Sequence, residues 1–215
     1  MSTPTTTEPT TGLPTVTTVD DRLTPVGERL AHSAEQLFYA RGIRAVGVEL
    51  IAAEARTTKK SLYDRFGSKD ALVVLYLRRR AETWQGRVLD RLERHPEPGP
   101  ARVLAVLDAL EGWLAEQWRG CAFVNAYAEL GGTEHPALPV VRDEKAWMRR
   151  LFTALVAEAG YDDPDRLGGQ LHLLYEGAVV ALTAGDQADA LDLARDAAAG
   201  LLSAARARTP AANGR

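Results

Sequence analysis

The sequence predicts an all-α protein of about nine helices, in which a small N-terminal head of three helices precedes a larger helical body. Apolar residues recur at helical spacing through most of the chain, and no stretch alternates with the period of two that marks a half-buried strand. Clusters of proline and glycine, such as residues 96–100, separate the helical segments. Hydrophobic residues make up 46% of the composition, enough to bury a sizeable core.

Composition also limits the function classes. The net charge is −3, so any binding to nucleic acid must depend on a local concentration of positive charge. A single cysteine, Cys121, excludes a disulfide framework and a cysteine-rich zinc site. There is no apolar run of the roughly 18 residues that a membrane span needs, and no secretory signal. We therefore expect a cytoplasmic protein without a membrane partner.

The chain divides into four predicted regions. Residues 1–24 are rich in threonine and proline and offer little apolar surface, which predicts a disordered tail. Residues 25–80 form the predicted head and residues 81–207 the body, and residues 208–215 are expected to fray. The first helix spans about 25–41 and ends at Gly42. The others are expected at about 48–55, 59–66, 69–95 with Ser68 as its cap, 101–117, 123–130, 139–159, 165–184 and 187–207.

The pair of short helices at 48–55 and 59–66 has the spacing of a helix-turn-helix. A turn of about three residues forces a steep crossing, which requires a small residue in the first helix and an apolar anchor in the second. Ala52 and Leu62 lie ten residues apart, as this crossing requires. A small core completes the pair, formed by Ile51, Ala55 and Phe66.

Positive charge is concentrated on the second of these helices. Residues 56–69 contain five basic residues and one acid, which gives a net charge of +4 within an acidic chain. Since Leu62 faces inward, Lys59, Lys60, Tyr63 and either Asp64 or Arg65 can enter a DNA major groove. A solvated helical face is the alternative, and charge alone does not distinguish the two.

Residues 61–72, Ser-Leu-Tyr-Asp-Arg-Phe-Gly-Ser-Lys-Asp-Ala-Leu, resemble the signature of the TetR family of bacterial transcriptional regulators. An Ile-Ala-Ala-Glu-Ala helix at 51–55 precedes them, as in that family. The resemblance is strong over about residues 25–80 and beyond that depends on helix count and length. It implies a homodimeric repressor that binds a palindromic operator in double-stranded DNA and is released by a small-molecule effector.

The resemblance also implies which residues meet DNA. Arg65 is our first choice for a guanine contact, and the Tyr63 hydroxyl and Lys69 resemble phosphate clamps. Asp64 either accepts a hydrogen bond from a cytosine amine or, by its negative charge, disfavours binding to DNA in a wrong register. The full predicted set is Arg56, Thr58, Lys59, Lys60, Ser61, Tyr63, Asp64, Arg65, Ser68 and Lys69.

The chain departs from the family pattern at two positions. Arg56 stands where the turn usually has glycine, and a positive φ there costs a side chain about 1 kcal/mol. The turn must therefore relax or tolerate strain. Gly47 stands where a hydroxyl residue often caps the second helix, so one phosphate contact is expected to be missing.

Two residue sets are predicted in the body. The last two helices carry regularly spaced apolar residues that either pair with a second copy or face the chain's own core. This predicted dimer set is Leu167, Leu171, Leu174, Ala178, Ala190, Ala194, Ala197 and Leu201. The middle helices supply a candidate effector pocket, with core packing as the alternative role for each member. That set is Trp113, Trp118, Phe123, Asn125, Tyr127, Trp147, His172, Tyr175 and Glu176.

Other functions have little support in the sequence. Cys121 is either an oxidant sensor or an inert thiol, and the pair of His172 and Glu176 has too few ligands for a metal site. We find no glycine-rich phosphate loop and no Gly-x-Ser-x-Gly or His-Glu-x-x-His motif. We therefore expect no enzyme and no cofactor, although an all-helical enzyme or a binding scaffold without DNA contacts is a possible alternative.

Overall fold

The computed structural model describes residues 12–19, 22–117 and 119–205. Within these ranges the chain forms nine helices, which confirms the all-α prediction. They are α1 (Pro25–Arg41), α2 (Val48–Glu54), α3 (Lys59–Phe66), α4 (Lys69–Glu93), α5 (Pro100–Leu114), α6 (Ala122–Leu130), α7 (Leu138–Glu158), α8 (Pro164–Thr183) and α9 (Ala190–Ala204). None of the described helices is both long and apolar enough to cross a membrane. Trp118 and the predicted ends at 1–11 and 208–215 lie outside the described residues.

The helix boundaries follow from local chemistry. Thr24 caps α1 by accepting a hydrogen bond from the N–H of Gly27 at 3.3 Å, and Gly42 ends the helix at a φ of 89°. Ser68 caps α4 by accepting one from Ala71 N–H at 3.0 Å, as predicted. These caps satisfy backbone groups that a helix end leaves unpaired.

Two apolar clusters organise the chain. The head cluster joins α1–α3 and the first half of α4, and it also includes α6 residues such as Phe123 and Ala126. The body cluster joins the second half of α4 to α5, α7, α8 and α9, with Phe152 and Leu155 among its most buried members. Because α6 packs into the head cluster, the head core extends beyond the predicted range of 25–80.

Helix α4 runs through both clusters, as does α7, whose first turn lies in the head cluster. Tyr76 and Leu77 lie in the head cluster, and Trp84 and Val88 lie in the body cluster. The 25 residues of α4 correspond to about 37 Å at 1.5 Å per residue. A displacement of α4 at the body end therefore moves its head end as well.

Residues 12–19 do not follow the prediction of a disordered tail. The backbone N–H of Thr17 donates to Gln85 Oε1 on α4 at 2.8 Å, and the indole N–H of Trp147 on α7 donates to the carbonyl of Thr15 at 2.8 Å. Leu13 packs against the body cluster. The prediction was wrong for this segment because its few apolar residues and its backbone polar groups have partners in the body.

Candidate nucleic-acid interface

The two residues predicted at the crossing of α2 and α3 are both buried. Leu62 is fully buried, and Ala52 is buried as well. Ile51 and Ala55 belong to the head cluster, and Phe66 packs against it while partly exposed. The apolar side of α3 is therefore fixed, so the opposite side faces outward.

The turn between α2 and α3 is closed by backbone hydrogen bonds around Arg56. The N–H of Arg56 donates to the Ala53 carbonyl at 3.0 Å, and that of Thr57 donates to the Ala52 carbonyl at 2.9 Å. Arg56 has a φ of 51°, so the turn retains the strain expected for a side chain in the left-handed region. The Arg56 side chain is exposed, two residues before the Thr58 cap of α3.

The N-terminus of α3 is capped by Thr58. Its hydroxyl accepts a hydrogen bond from Ser61 N–H at 3.1 Å and lies 3.0 Å from the Ser61 hydroxyl. Thr58 and Ser61 thus contact each other at the helix start. By contrast, Gly47 gives α2 no side-chain cap.

The outward side of α3 carries the predicted charged residues. Lys59 pairs with Glu49 of α2, and Lys60 pairs with Asp64 at 2.7 Å. Glu49 raises the pKa of Lys59, chiefly through their hydrogen bond. Arg65 is exposed and has no ion-pair partner in the described part of the chain. Tyr63, with 42% of its surface exposed, completes this surface.

Lys69, which is predicted to contact a phosphate, is held by contacts within the chain. Its ammonium donates to the carbonyl of Ile43 at 2.6 Å and lies 5.9 Å from the Phe38 ring. Burial lowers the pKa of Lys69. A phosphate contact would therefore require the side chain to leave these partners, whereas Ser68 at the helix start stays exposed.

The predicted effector-pocket residues lie in three places: an aromatic group in the body, helix α6, and the charged contacts of Glu176. His172 and Tyr175 lie within one aromatic group in the body, together with Trp84 and Phe152, and Trp147 is buried in the same body cluster. The Tyr175 ring centroid is 6.3 Å from both Trp84 and His172, and 6.0 Å from Phe152. Trp113 joins this group through a 5.4 Å contact with Trp84.

The other predicted pocket residues do not line this group. Phe123 is buried in the head cluster, and Tyr127 is 54% exposed on α6. The amide of Asn125 donates to the carbonyl of Arg119 at 2.9 Å. Periodicity placed these residues on α6 correctly but did not show that α6 packs on the head.

A buried polar group beside the aromatic residues was missed by the sequence analysis. Gln85 Nε2 donates to Glu144 Oε2 at 2.6 Å, and both side chains are buried. Burial raises the pKa of Glu144 to about 7. The spacing of Val141, Glu144 and Met148 on one side of α7 was the available signal, because it places an acid on an apolar helical face.

Glu176 belongs to a second set of charged contacts. Its carboxylate accepts from Lys145 Nζ at 2.9 Å and lies 3.2 Å from His172 Nε2. Lys145 Nζ is also 3.4 Å from Cys121 Sγ. In the described part of the chain no three His, Cys, Asp or Glu side chains gather in an arrangement that could hold a metal ion.

Most of the predicted dimer residues face the chain's own core. Leu167, Leu171, Ala178, Ala190 and Ala194 are buried, and Leu174 and Leu201 are partly covered by the body cluster. Of the set, Ala197 is exposed. A different row of α8 and α9 remains available to a second copy, which contains Leu173, Gly177, Val180, Leu193, Ala197 and Gly200.

Comparisons with known proteins agree with this geometry. The family model described as bacterial regulatory proteins of the tetR family matches residues 30–75, which include α2 and α3. A TetR-family transcriptional regulator from Streptomyces coelicolor, SCO4454, is 31% identical, with a TM-score of 0.78 over 84% of this chain and 89% of that chain. A TetR transcriptional regulator from Chloroflexus aurantiacus shares the fold, with a TM-score of 0.71, 24% identity, and coverage of 84% and 96%.

A curated relative is the HTH-type transcriptional repressor DhaR of Mycobacterium sp. (strain GP1). It is 32% identical over 126 residues, which are 56% of this chain and 58% of the repressor. The match thus spans less than two thirds of that protein's length. The similarity in sequence and fold supports a transcriptional regulator with a helix-turn-helix head.

Proposed function

Since this chain belongs to the TetR family of bacterial transcriptional regulators, we propose that it is a homodimeric repressor, released from a palindromic operator by a small-molecule effector. The observation that carries the proposal is the exposed basic side of α3, held outward by the burial of Leu62. The proposed action is binding alone, without chemical conversion of the DNA or the effector.

On this proposal α3 enters the major groove. Arg65, which has no ion-pair partner within the described residues, makes a bidentate contact with guanine. Arg56 and the Tyr63 hydroxyl contact phosphates. Lys59 and Lys60 exchange Glu49 and Asp64 for phosphate oxygens, an exchange between exposed groups whose ion pairs contribute little in water.

The proposed dimer interface is the exposed row of α8 and α9. Leu173 is 71% exposed and Leu193 is 51% exposed, which is unusual for leucine on two adjacent helices. Gly177, Ala197 and Gly200 between them permit close helix approach. Two heads related by a two-fold axis then read two half-sites about one DNA turn apart.

The proposed effector response acts through α4. The aromatic and polar groups around Trp84 and Gln85 are in the body, and the same helix continues to Tyr76 and Leu77 in the head cluster. A ligand that prefers a displaced α4 changes the separation of the two heads, so that they no longer match the half-sites. The ligand acts only through its different affinity for the two states.

Selection of bound fragments from random DNA tests the proposal, followed by affinity measurements across salt concentrations. We expect a palindromic site bound by a dimer, with affinity that falls steeply as salt rises. Arg65→Ala should weaken binding by about tenfold or more and relax selectivity at one base pair in each half-site. Arg150→Ala, an exposed arginine of α7, is the matched control and should bind like the wild type. Weak binding that is indifferent to sequence and equal in all three proteins would overturn the proposal.

A further inference from the structure

Residues 12–19, here called the strap, lie along α4 and α7 in extended form. Besides the contacts of Thr15 and Thr17 described above, Val19 N–H donates to Glu82 Oε1 at 3.4 Å. The side chains of Leu13, Val16 and Val19 are half-buried, whereas those of Thr15, Thr17 and Thr18 are exposed. The strap therefore binds through its backbone amides and a few apolar side chains, as an extended peptide ligand does.

The partners of the strap are interior groups of the body. Gln85 is only 1% exposed and Trp147 only 2% exposed with the strap in place. The strap supplies a donor to Gln85 Oε1 and an acceptor to the Trp147 indole N–H. Without it, both groups need water or another ligand, because a buried polar group without a partner is costly.

The strap also covers the buried Gln85–Glu144 pair. The side-chain amide of Gln85 accepts from the strap through its Oε1 and donates to Glu144 through its Nε2. One amide therefore joins the strap to an interior carboxyl group. An interior carboxyl is expensive to retain where only packing is needed. The arrangement of a few buried polar groups among aromatic ones is characteristic of a binding site.

We propose that the strap occupies a ligand site between α4 and α7, and that the ligand of this site is an uncharged small molecule with two amide groups and an apolar part. This inference rests on the proposed function, since the ligand is the effector of that repressor. The carbonyl of one amide replaces that of Thr15 at Trp147, the N–H of the other replaces that of Thr17 at Gln85, and the apolar part takes the place of Leu13.

The charges around the site favour an uncharged ligand over an anion. The Glu82 carboxylate contacts the strap directly. An anion would meet this carboxylate in a partly buried setting, where repulsion is poorly screened. The amide N–H of Thr17 already shows that Gln85 accepts from a neutral donor.

The strap couples ligand binding to the head because of its place in the sequence. Residues 20–24 connect it to α1, the first helix of the head. A tethered segment competes at an effective concentration in the millimolar range, so an effector must first overcome it. When the effector displaces the strap, the head loses one of its connections to the body.

A synthetic peptide of residues 12–19, acetylated and amidated at its ends, tests the site in the full chain by tryptophan fluorescence and calorimetry. The variant Leu13→Asp weakens the strap without changing the body, and Thr18→Asp places the same charge on an exposed strap position as its control. We expect Leu13→Asp to bind the peptide at least tenfold more tightly than the wild type or Thr18→Asp. If Leu13→Asp does not fold, Leu13→Ala serves in its place.

A second peptide, with an ester in place of the Thr17 amide, lacks the donor for Gln85. It should bind at least tenfold more weakly than the amide peptide. Equal, weak binding of both peptides to all variants would overturn the inference, even if operator binding is intact. If the protein binds the peptide but selects no operator, the proposed repressor function is wrong and the ligand site is supported.

Discussion

Glu129 on α6 accepts a hydrogen bond from the backbone N–H of Ile43 at 2.9 Å, in the loop between α1 and α2. Its other carboxylate oxygen accepts from Arg44 N–H at 2.6 Å. A Cβ on the neighbouring Gly42 would lie 2.8 Å from Glu129, so glycine is needed there both for its positive φ and for this close approach. The loop that supports the helix-turn-helix is thus held by a side chain of α6.

Replacement of Glu129 should loosen this loop. Glu129→Gln keeps the shape but exchanges one acceptor oxygen for an NH₂ group, which leaves one backbone N–H without a partner. We expect a loss of about 1 kcal/mol in the free energy of unfolding, because water can reach the exposed Arg44 amide, and faster hydrogen exchange at the amides of Ile43 and Arg44. Glu134→Gln, an exposed acid near the end of α6, should change neither quantity. Unchanged exchange in Glu129→Gln would show that the loop is held by other contacts.

The ion pair of Lys60 and Asp64 leads to a prediction for the DNA-binding side of α3. Because the Lys60 ammonium lies 2.7 Å from the Asp64 carboxylate, we expect Asp64 to limit DNA affinity rather than to contact a base. Asp64→Asn should therefore strengthen binding to operator and to random DNA alike, by about 0.5–1 kcal/mol at low salt. The measurement is a titration with both DNAs. A loss confined to one operator position would assign Asp64 as a cytosine acceptor instead.

Arg56 combines backbone strain with a charge that faces solvent, and two substitutions separate the effects. Arg56→Gly and Arg56→Ala both remove the charge, but only glycine tolerates a φ of 51° without strain. We expect the glycine variant to be more stable than the alanine variant by about 1 kcal/mol. Both should lose DNA affinity to the same extent, with a salt dependence reduced by about one phosphate contact. If both variants bind DNA with wild-type affinity, Arg56 does not contact a phosphate.

The sequence predicted the head well because its structure depends on local patterns. The spacing of Ala52 and Leu62, the cap at Ser68 and the break at Gly42 each depend on neighbours within a few residues. The strap was missed because its stability comes from Gln85 and Trp147, far away in the chain. No composition-based argument for disorder includes such partners.

The predicted dimer residues show a second limit of predictions from apolar spacing. The spacing of Leu167, Leu171 and Ala178 correctly indicates an apolar helix face, but it does not indicate which neighbour covers that face. In the structure the chain's own body cluster covers it. Leu173 and Val180 on the opposite side were not distinguished, since α8 is apolar on more than one side.

Glu144 makes the stability of the body depend on pH. Its pKa is raised from 4.5 to about 7 by burial, so between these values the folded state binds a proton that the unfolded state has released. Stability from this group is therefore present at low pH and is lost as the pH rises through about 7, by up to about 3 kcal/mol.

The variant Glu144→Gln isolates this effect, because its amide oxygen still accepts from Gln85 and does not titrate. Urea unfolding at pH 5 and pH 8 should show the wild type losing stability relative to the variant as the pH rises. The comparison within each pH cancels the other titrating groups, including the neighbouring Lys145 and Glu176. Parallel pH profiles for the two proteins would mean that Glu144 is ionised at both pH values or hydrated.

The exposed leucine of α8 provides the test of the proposed dimer. Leu173→Glu places a charge at the centre of the row with Gly177 and Val180, and in a two-fold interface the same charge enters from both copies. We expect the dimer dissociation constant to rise by about 100-fold or more, because a desolvated charge without a partner opposes association. Sedimentation and operator titration should show monomers that bind half-sites weakly. Val124→Glu, which alters an apolar residue of α6 that is 38% exposed, is the matched control and should leave the dimer intact. If Leu173→Glu stays dimeric, another surface joins the two copies.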